Sequence, residues 1–253
     1  MGNFFKRCVS GIEWRDFVPP VCGKIRSKFR NFFHLTPPQK REGHFQYLPE
    51  EYMPDFVLDI GAATGFTAYA ALQAFDSVPV YCIEPLERNF EILQKSIALF
   101  PDRAFAYNQA LSDCNGELEI HLTNSPYSNS LFDLPEQYKK DNPHIQIVGK
   151  QLVKTETLDS FSKRVNISGK GLVKLDVEGA ELQVLQGGKE FLQDHVSAIV
   201  IELAFNRGID RIHQVMSELE KAGFRLENVF DVTYGTGMKL AQLDAVYMKK
   251  SGI

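Results

Sequence analysis

Phe56-Val57-Leu58-Asp59-Ile60-Gly61-Ala62-Ala63-Thr64-Gly65 is the stretch that decides the fold. Its first five residues form a short, mostly apolar run of the kind that makes a strand buried on both faces. Glycines 61 and 65 then mark a tight turn, and the Ala- and Leu-rich run from Thr64 to Phe75 predicts a helix. A strand that ends in glycine and turns into a helix lets a ligand approach the backbone closely.

Outward from this stretch the pattern repeats. Val80 to Ile83 reads as a second buried strand, Pro85 opens a helix to about Leu99, and Ala104 to Asn108 reads as a third strand. Strand, helix, strand, helix, strand implies a parallel sheet with right-handed crossovers. Gly116 to Leu122 alternates like an exposed strand, and Thr123 to Gly149 is expected to be loop. The rhythm returns with a strand over Leu172–Val177, a short helix over Ala180–Leu185, a strand over Ala198–Leu203 and a helix over Arg211–Ala222. Phe224–Val229 and Asp244–Met248 are expected to close the chain as an antiparallel edge hairpin. The organisation predicted is an N-terminal arm over 1–48, with a linker at Thr36-Pro37-Pro38, and one domain over 49–253.

Composition narrows the function classes. The 253 residues are 44% hydrophobic, enough for one sizeable core, and a net charge of -4 gives no reason to expect nucleic acid as a partner. No apolar run is long enough to span a bilayer. The four cysteines form no CxxC pair, which argues against a zinc or disulfide framework and for free thiols in a cytoplasmic protein. Charge is uneven: residues 1–41 carry about +7 and the rest about -11. Six phenylalanines and Trp14 interleave with the basic residues of the arm. Such a segment could lie on an anionic membrane surface, here the inner face, or pack as a helix on the domain. Oligomeric state is not legible.

Four features could carry chemistry. The loop spacing is G-x-x-x-G rather than G-x-G-x-x-G, so a pyrophosphate is not its natural guest. It suits the amino-acid half of S-adenosylmethionine (SAM), with Gly61, Ala62 and Gly65 lining the ligand and Asp59 near its ammonium group. Glu84, about twenty residues on at the end of the second strand, stands where a carboxylate binds both ribose hydroxyls. Leu111 and Asp113 follow the third strand, in the loop that faces the adenine, though Ser112 and Asp113 would equally cap a turn. Asp176, Glu178 and Glu181 gather at the end of a central strand, where open α/β sheets put ligands. There they could orient an acceptor, act as a base or hold a divalent ion, or simply complement a helix N-terminus. Asp176, which also borders the cofactor, is the expected base, with Glu178 or Glu202 as substitutes; no metal ligands are assigned. His121 and His144 are weaker candidates, and Thr123 to Gly149, with Tyr127, Ser128, Asn129, Ser130 and Tyr138, is the candidate acceptor lid.

Together the segments Leu58-Asp59-Ile60-Gly61-Ala62, Glu84-Pro85, Asn108 with Ala110-Leu111-Ser112, Thr157-Leu158-Asp159, Lys174-Leu175-Asp176-Val177-Glu178-Gly179-Ala180-Glu181 and Ile201-Glu202 resemble the FkbM family of SAM-dependent methyltransferases. The Asp-Val-Glu-Gly-x-Glu stretch is the most specific piece. The resemblance implies a Rossmann-like class I methyltransferase fold, with a mostly parallel seven-stranded sheet, an antiparallel edge hairpin and helices on both faces. It also implies methyl transfer to a hydroxyl of a sugar, glycolipid or secondary metabolite. Where the family usually has Asn in its loop, this chain has Ala63. Two other readings stay open: a binding-only protein on this fold, and a nucleotide-dependent oxidoreductase, which the glycine spacing disfavours.

Overall fold

The computed structural model describes residues 41 and 43–249 of the chain. Of the arm over 1–48 only residues 41 and 43–48 are described, and the expected membrane contact through 1–41 falls, Arg41 apart, outside the described residues. Among those described, no helix is long and apolar enough to cross a membrane.

The first half contains β1 (Val57–Ile60), α1 (Phe66–Ala74), β2 (Val80–Ile83), α2 (Glu87–Ile97), β3 (Ala104–Tyr107), β4 (Ala110–Ser112), β5 (Gly116–Thr123) and α3 (Glu136–Asp141). Then come β6 (Ile147–Thr157), α4 (Leu158–Val165), β7 (Gly171–Leu175), α5 (Glu181–Gln186), α6 (Lys189–His195), β8 (Val196–Ala204), α7 (Ile209–Lys221), β9 (Phe224–Tyr234) and β10 (Leu240–Lys249). Seven strands form one sheet in the order β3-β2-β1-β7-β8-β10-β9. The first five are mutually parallel; β10 runs antiparallel to both β8 and β9. The expected parallel sheet with an antiparallel edge pair is therefore present, with the last strand inserted inside β9.

The pleat divides the core. Leu58, Ile60, Val173 and Leu175 point to one face, where Phe161, Leu182, Leu185, Phe191, Ile212 and Leu219 cover them. Val57, Val80, Leu172, Ala198 and Val200 point to the other, under Leu72 of α1 and Leu93 and Ile97 of α2. Phe45 and Leu48, ahead of β1, join that second layer. Burial on both faces is what makes β1 and β7 read as nearly unbroken apolar runs.

The same pleat creates the molecule's polar focus. Asp59 pairs in register with Lys174, Lys174 with Val200, Val200 with Val246, and Glu202 with Asp244. Since paired residues share a face and i, i+2 residues do too, Asp59, Lys174, Glu202 and Asp244 all project from one side near the carboxyl ends of the parallel strands.

Two expectations are corrected. Thr123 to Gly149 is not loop throughout, for it contains α3 and the start of β6. A second sheet, β4-β6-β5, was also not anticipated. Its strands lie mostly in partial contact with solvent, and β6 fully buries only Val153 and Thr155 among eleven residues, so little hydrophobic alternation marks it. This small sheet is locked to the main body at Gly187, where an added Cβ would sit 2.0 Å from the backbone oxygen of Ser112. Gly187→Ala must therefore push backbone from backbone, and should lower the unfolding free energy by at least about 1–3 kcal/mol. An unchanged urea midpoint would show that β4 is not packed against this turn.

Candidate active site

The loop after β1 is built around close approach. Gly61 has φ +83°, and a Cβ there would lie 1.9 Å from the carbonyl oxygen of Asp176. The glycine loop and the carboxylate-rich segment after β7 thus touch through their backbones. Gly65, at φ +89°, precedes α1, and Ala63 between them is left-handed too, at φ +46°. Ala62 is buried.

Glu84 directly follows β2 and is buried beneath this loop. One carboxylate oxygen accepts the Ala63 amide at 2.9 Å, the other the Leu86 amide at 2.9 Å. Asn108, just past β3, donates at 3.0 Å to the carbonyls of Glu84 and Pro85 and fixes the strand end. Burial pushes the Glu84 carboxyl up to about 7, against the opposing pull of those two amides and Asn89. Asp59 lies deeper and is raised to about 7, by burial first, with Lys174 opposing and Asp176 and Glu84 adding. Its Oδ2 is buried and has no hydrogen-bond partner among the described residues.

Lys174 is the centre of the site. Its side chain is 1% exposed, and its Nζ lies 3.2 Å from Asp176 Oδ2 and 3.7 Å from Asp244 Oδ1. Burial disfavours its charge, but Asp176, Asp244, Glu202 and Asp59 outweigh that and hold its pKa above the usual lysine value. Asp244 also faces His44, 3.8 Å away. Asp176, Glu178 and Glu202 each bring an oxygen within 4.8 Å of the others, a spacing a divalent cation would also accept, and His44, Asp231 and Asp244 meet the same measure. Each of the first three already has a partner, Asp176 in Lys174. Arg207 pairs with the Glu178 carboxylate, and Gln242 donates to Glu202 at 2.8 Å. Burial raises the pKa of both glutamates; Asp176 reinforces this in each, while Arg207 opposes it at Glu178. Glu181 is buried and accepts the Gly179 amide at 3.0 Å.

The structure gathers Asp59, Gly61, Ala62, Gly65, Glu84, Asp176, Glu178 and Glu202 at the carboxyl end of the sheet. Leu111 instead packs in the core at 3% exposure, and Asp113 is exposed with its carboxylate accepting the Ser112 hydroxyl at 3.2 Å. His144 is exposed, and His121 on β5 faces Asp133 at 3.1 Å. Two residues of the segment expected to cover the acceptor reach the site: Ser130 Oγ donates to the Glu178 carbonyl at 2.6 Å, and Tyr138 lies under the Arg207 guanidinium. Sequence reasoning gave no role to Lys174, Asp244 or Arg207. The first two carry a signal, a charge inside an apolar strand, which needs a partner. Arg207 carries none, because its partners are remote in sequence.

These residues fit the SAM expected from the loop. Asp59 offers a buried acceptor with a free oxygen, Gly61 and Gly65 leave the backbone bare, and Glu84 sits one strand over with both oxygens in a fixed plane. A cationic ligand also suits a cleft lined by more carboxylates than bases.

A family model described as "Methyltransferase FkbM domain" matches residues 59–226. The chain is 28% identical over 177 residues to the 2-O-methyltransferase NoeI of Sinorhizobium fredii (strain NBRC 101917 / NGR234), covering 66% of this chain and 72% of that protein. Among solved structures, an O-methyltransferase from Bacillus cereus in complex with SAH has 12% identity and TM-score 0.45, covering 93% of this chain and 95% of that one. Aeropyrum pernix fibrillarin with natively bound SAM has 10% identity and TM-score 0.44, covering 89% and 74%.

The raised carboxyls make stability depend on pH. Asp59 and Glu84 bind protons more tightly folded, near 7, than at their ordinary values of 3.8 and 4.5. The ligand-free protein therefore binds more protons folded than unfolded, and this contribution to stability is complete below about pH 4 and lost as pH rises through about 7. Asp59→Asn should flatten the fall in melting temperature between pH 5 and 8. Parallel slopes for the two proteins would show that Asp59 titrates normally.

Proposed function

The chain belongs to the FkbM methyltransferase domain family, and from that premise we propose that it moves the methyl group of SAM to a hydroxyl oxygen of a sugar, glycolipid or secondary metabolite. The observation that carries this reading is the backbone contact between the Gly61 loop and Asp176, which sets the cofactor cradle directly beside three acceptor-side carboxylates. The 2-O-methyltransferase name of the Sinorhizobium relative supports oxygen as the accepting atom.

When bound, SAM supplies an electrophilic methyl on a sulfonium. The chain's own residues do the rest. Glu84 holds the ribose hydroxyls, with the Ala63 and Leu86 amides keeping its carboxyl in place and Asn108 fixing its backbone carbonyl. Asp59 and the bare backbone of Gly61 to Gly65 hold the amino-acid end. Asp176, tethered to Lys174 and 35% exposed along its side chain, faces the acceptor and takes the hydroxyl proton. Glu178, paired with Arg207, and Glu202, which accepts from Gln242, take hydrogen bonds from neighbouring hydroxyls. Positioning of the two reactants contributes most of the acceleration.

Calorimetry with SAM and NAD separates this reading from the oxidoreductase one, and S-adenosylhomocysteine release on glycan, glycolipid or small hydroxylated acceptors separates enzyme from binder. Glu84→Ala should weaken SAM binding about 10–100-fold, the loss of charged hydrogen bonds to the ribose. No change would move the ribose elsewhere. Asp176→Asn should cut turnover about 10²–10⁴-fold, the usual contribution of a general base. A variant as fast as the wild type would remove Asp176 from the chemistry.

A further inference from the structure

Glu178 is a non-glycine residue at φ +55°, in the left-handed region. That conformation costs about 1–2 kcal/mol and persists only where the surroundings over-determine it. Here the restraints come from two places. Ser130 Oγ, from the segment 124–146, donates to the Glu178 carbonyl at 2.6 Å. Arg207, in the 3-10 turn Phe205–Arg207 after β8, donates to the same carbonyl at 3.2 Å and pairs with the Glu178 carboxylate. Arg211 of α7 donates to the next carbonyl, that of Gly179, at 2.7 Å.

Both arginines are in turn covered by that segment. The Arg207 guanidinium lies 4.1 Å from the centroid of the Tyr138 ring, and that of Arg211 lies 3.8 Å from the Phe132 centroid. Beside Arg207, Asn206 donates to Asp141 at the end of α3 at 3.1 Å, and Asp141 also takes the Thr236 amide at 2.7 Å. Arg207 is 5% exposed along its side chain, and the groups facing Glu178 include Asp176, Glu181 and Lys174 as well as Arg207 itself.

We propose that Arg207 is a positioning residue that couples docking of the segment 124–146 to the placement of Glu178 in the acceptor site. Its planar fork satisfies a carbonyl and a carboxylate together while its face stacks on Tyr138, a combination a lysine cannot supply. Lifting Tyr138 away uncovers Arg207, and releasing Arg207 removes the side-chain restraint on Glu178 and one of the two hydrogen bonds to its carbonyl, the other coming from Ser130 of the same segment. Seating of the segment and shaping of the acceptor site are then one event. The inference rests on the methyl-transfer reading only in taking Glu178 as an acceptor-side group.

Hydrogen exchange on the full chain tests it, following peptides over 124–146 and 176–181 at neutral pH. In Arg207→Ala both regions should exchange about tenfold faster, and together. Methylguanidinium at a few millimolar should restore both, equal sodium chloride neither. Arg207→Lys, which keeps charge and bulk, should behave like the alanine variant, and Tyr138→Leu should speed exchange at 176–181 as well as in its own helix. Faster exchange confined to 205–211, independent responses of the two regions, or equal rescue by sodium chloride would overturn the proposal. If the alanine variant does not fold, the lysine and Tyr138→Leu variants decide by the same two regions. S-adenosylhomocysteine calorimetry on the wild type keeps the questions apart: no binding there would sink the methyl-transfer reading and leave the exchange result standing.

Discussion

Four strand ends converge on the ammonium group of Lys174, and much of the site follows from that. A lysine with 1% of its side chain exposed must have its charge compensated, since a lone buried ion costs several kcal/mol. The compensation is excessive: Asp59, Asp176, Glu202 and Asp244 all act on one cation. Four carboxylates cannot all stay ionised in a confined space, so burial and mutual repulsion push protons onto Asp59 and Glu202. Chain order alone does not bring these groups together. Asp59 and Asp244 stand at opposite ends of the domain, and parallel pairing of β1 with β7 and β7 with β8, then antiparallel pairing of β8 with β10, sets them on one face. Sheet topology is thus the device that concentrates negative charge beside the glycine loop.

The buried parallel strands were legible because burial on both faces forces apolar runs. Val80–Ile83 was read to the residue, and β1 differs from its reading only at Phe56. The close approach of the glycine loop and Glu84 was legible too, since both follow from a local strand-to-helix geometry. What stayed hidden is what depends on contacts distant in sequence. The β4-β6-β5 sheet leaves most of its residues in partial contact with water and carries little alternation. Leu111, a plausible ring contact from its position after β3, is buried in a core cluster that includes Leu182 and Leu185 of α5, a packing that no local pattern announces.

Ala63 shows how one irregular residue becomes intelligible in three dimensions. Its φ of +46° is a conformation that Asn tolerates better than Ala, which gives a backbone reason for the Asn usual in the family's loop. The Ala63 amide donates to Glu84 nonetheless, so the link between the glycine loop and the Glu84 carboxylate is made through backbone and survives the side-chain difference. The departure therefore leaves the contacts that define the cradle in place.

A crystal structure of the protein with S-adenosylhomocysteine tests the central claim most directly. The account predicts the ribose hydroxyls on Glu84, the homocysteine moiety over Gly61 to Gly65 beside Asp59, and Asp176, Glu178 and Glu202 facing the side from which an acceptor enters. A ligand bound away from the carboxyl ends of β1 and β2, or one whose ribose leaves Glu84 untouched, would contradict it.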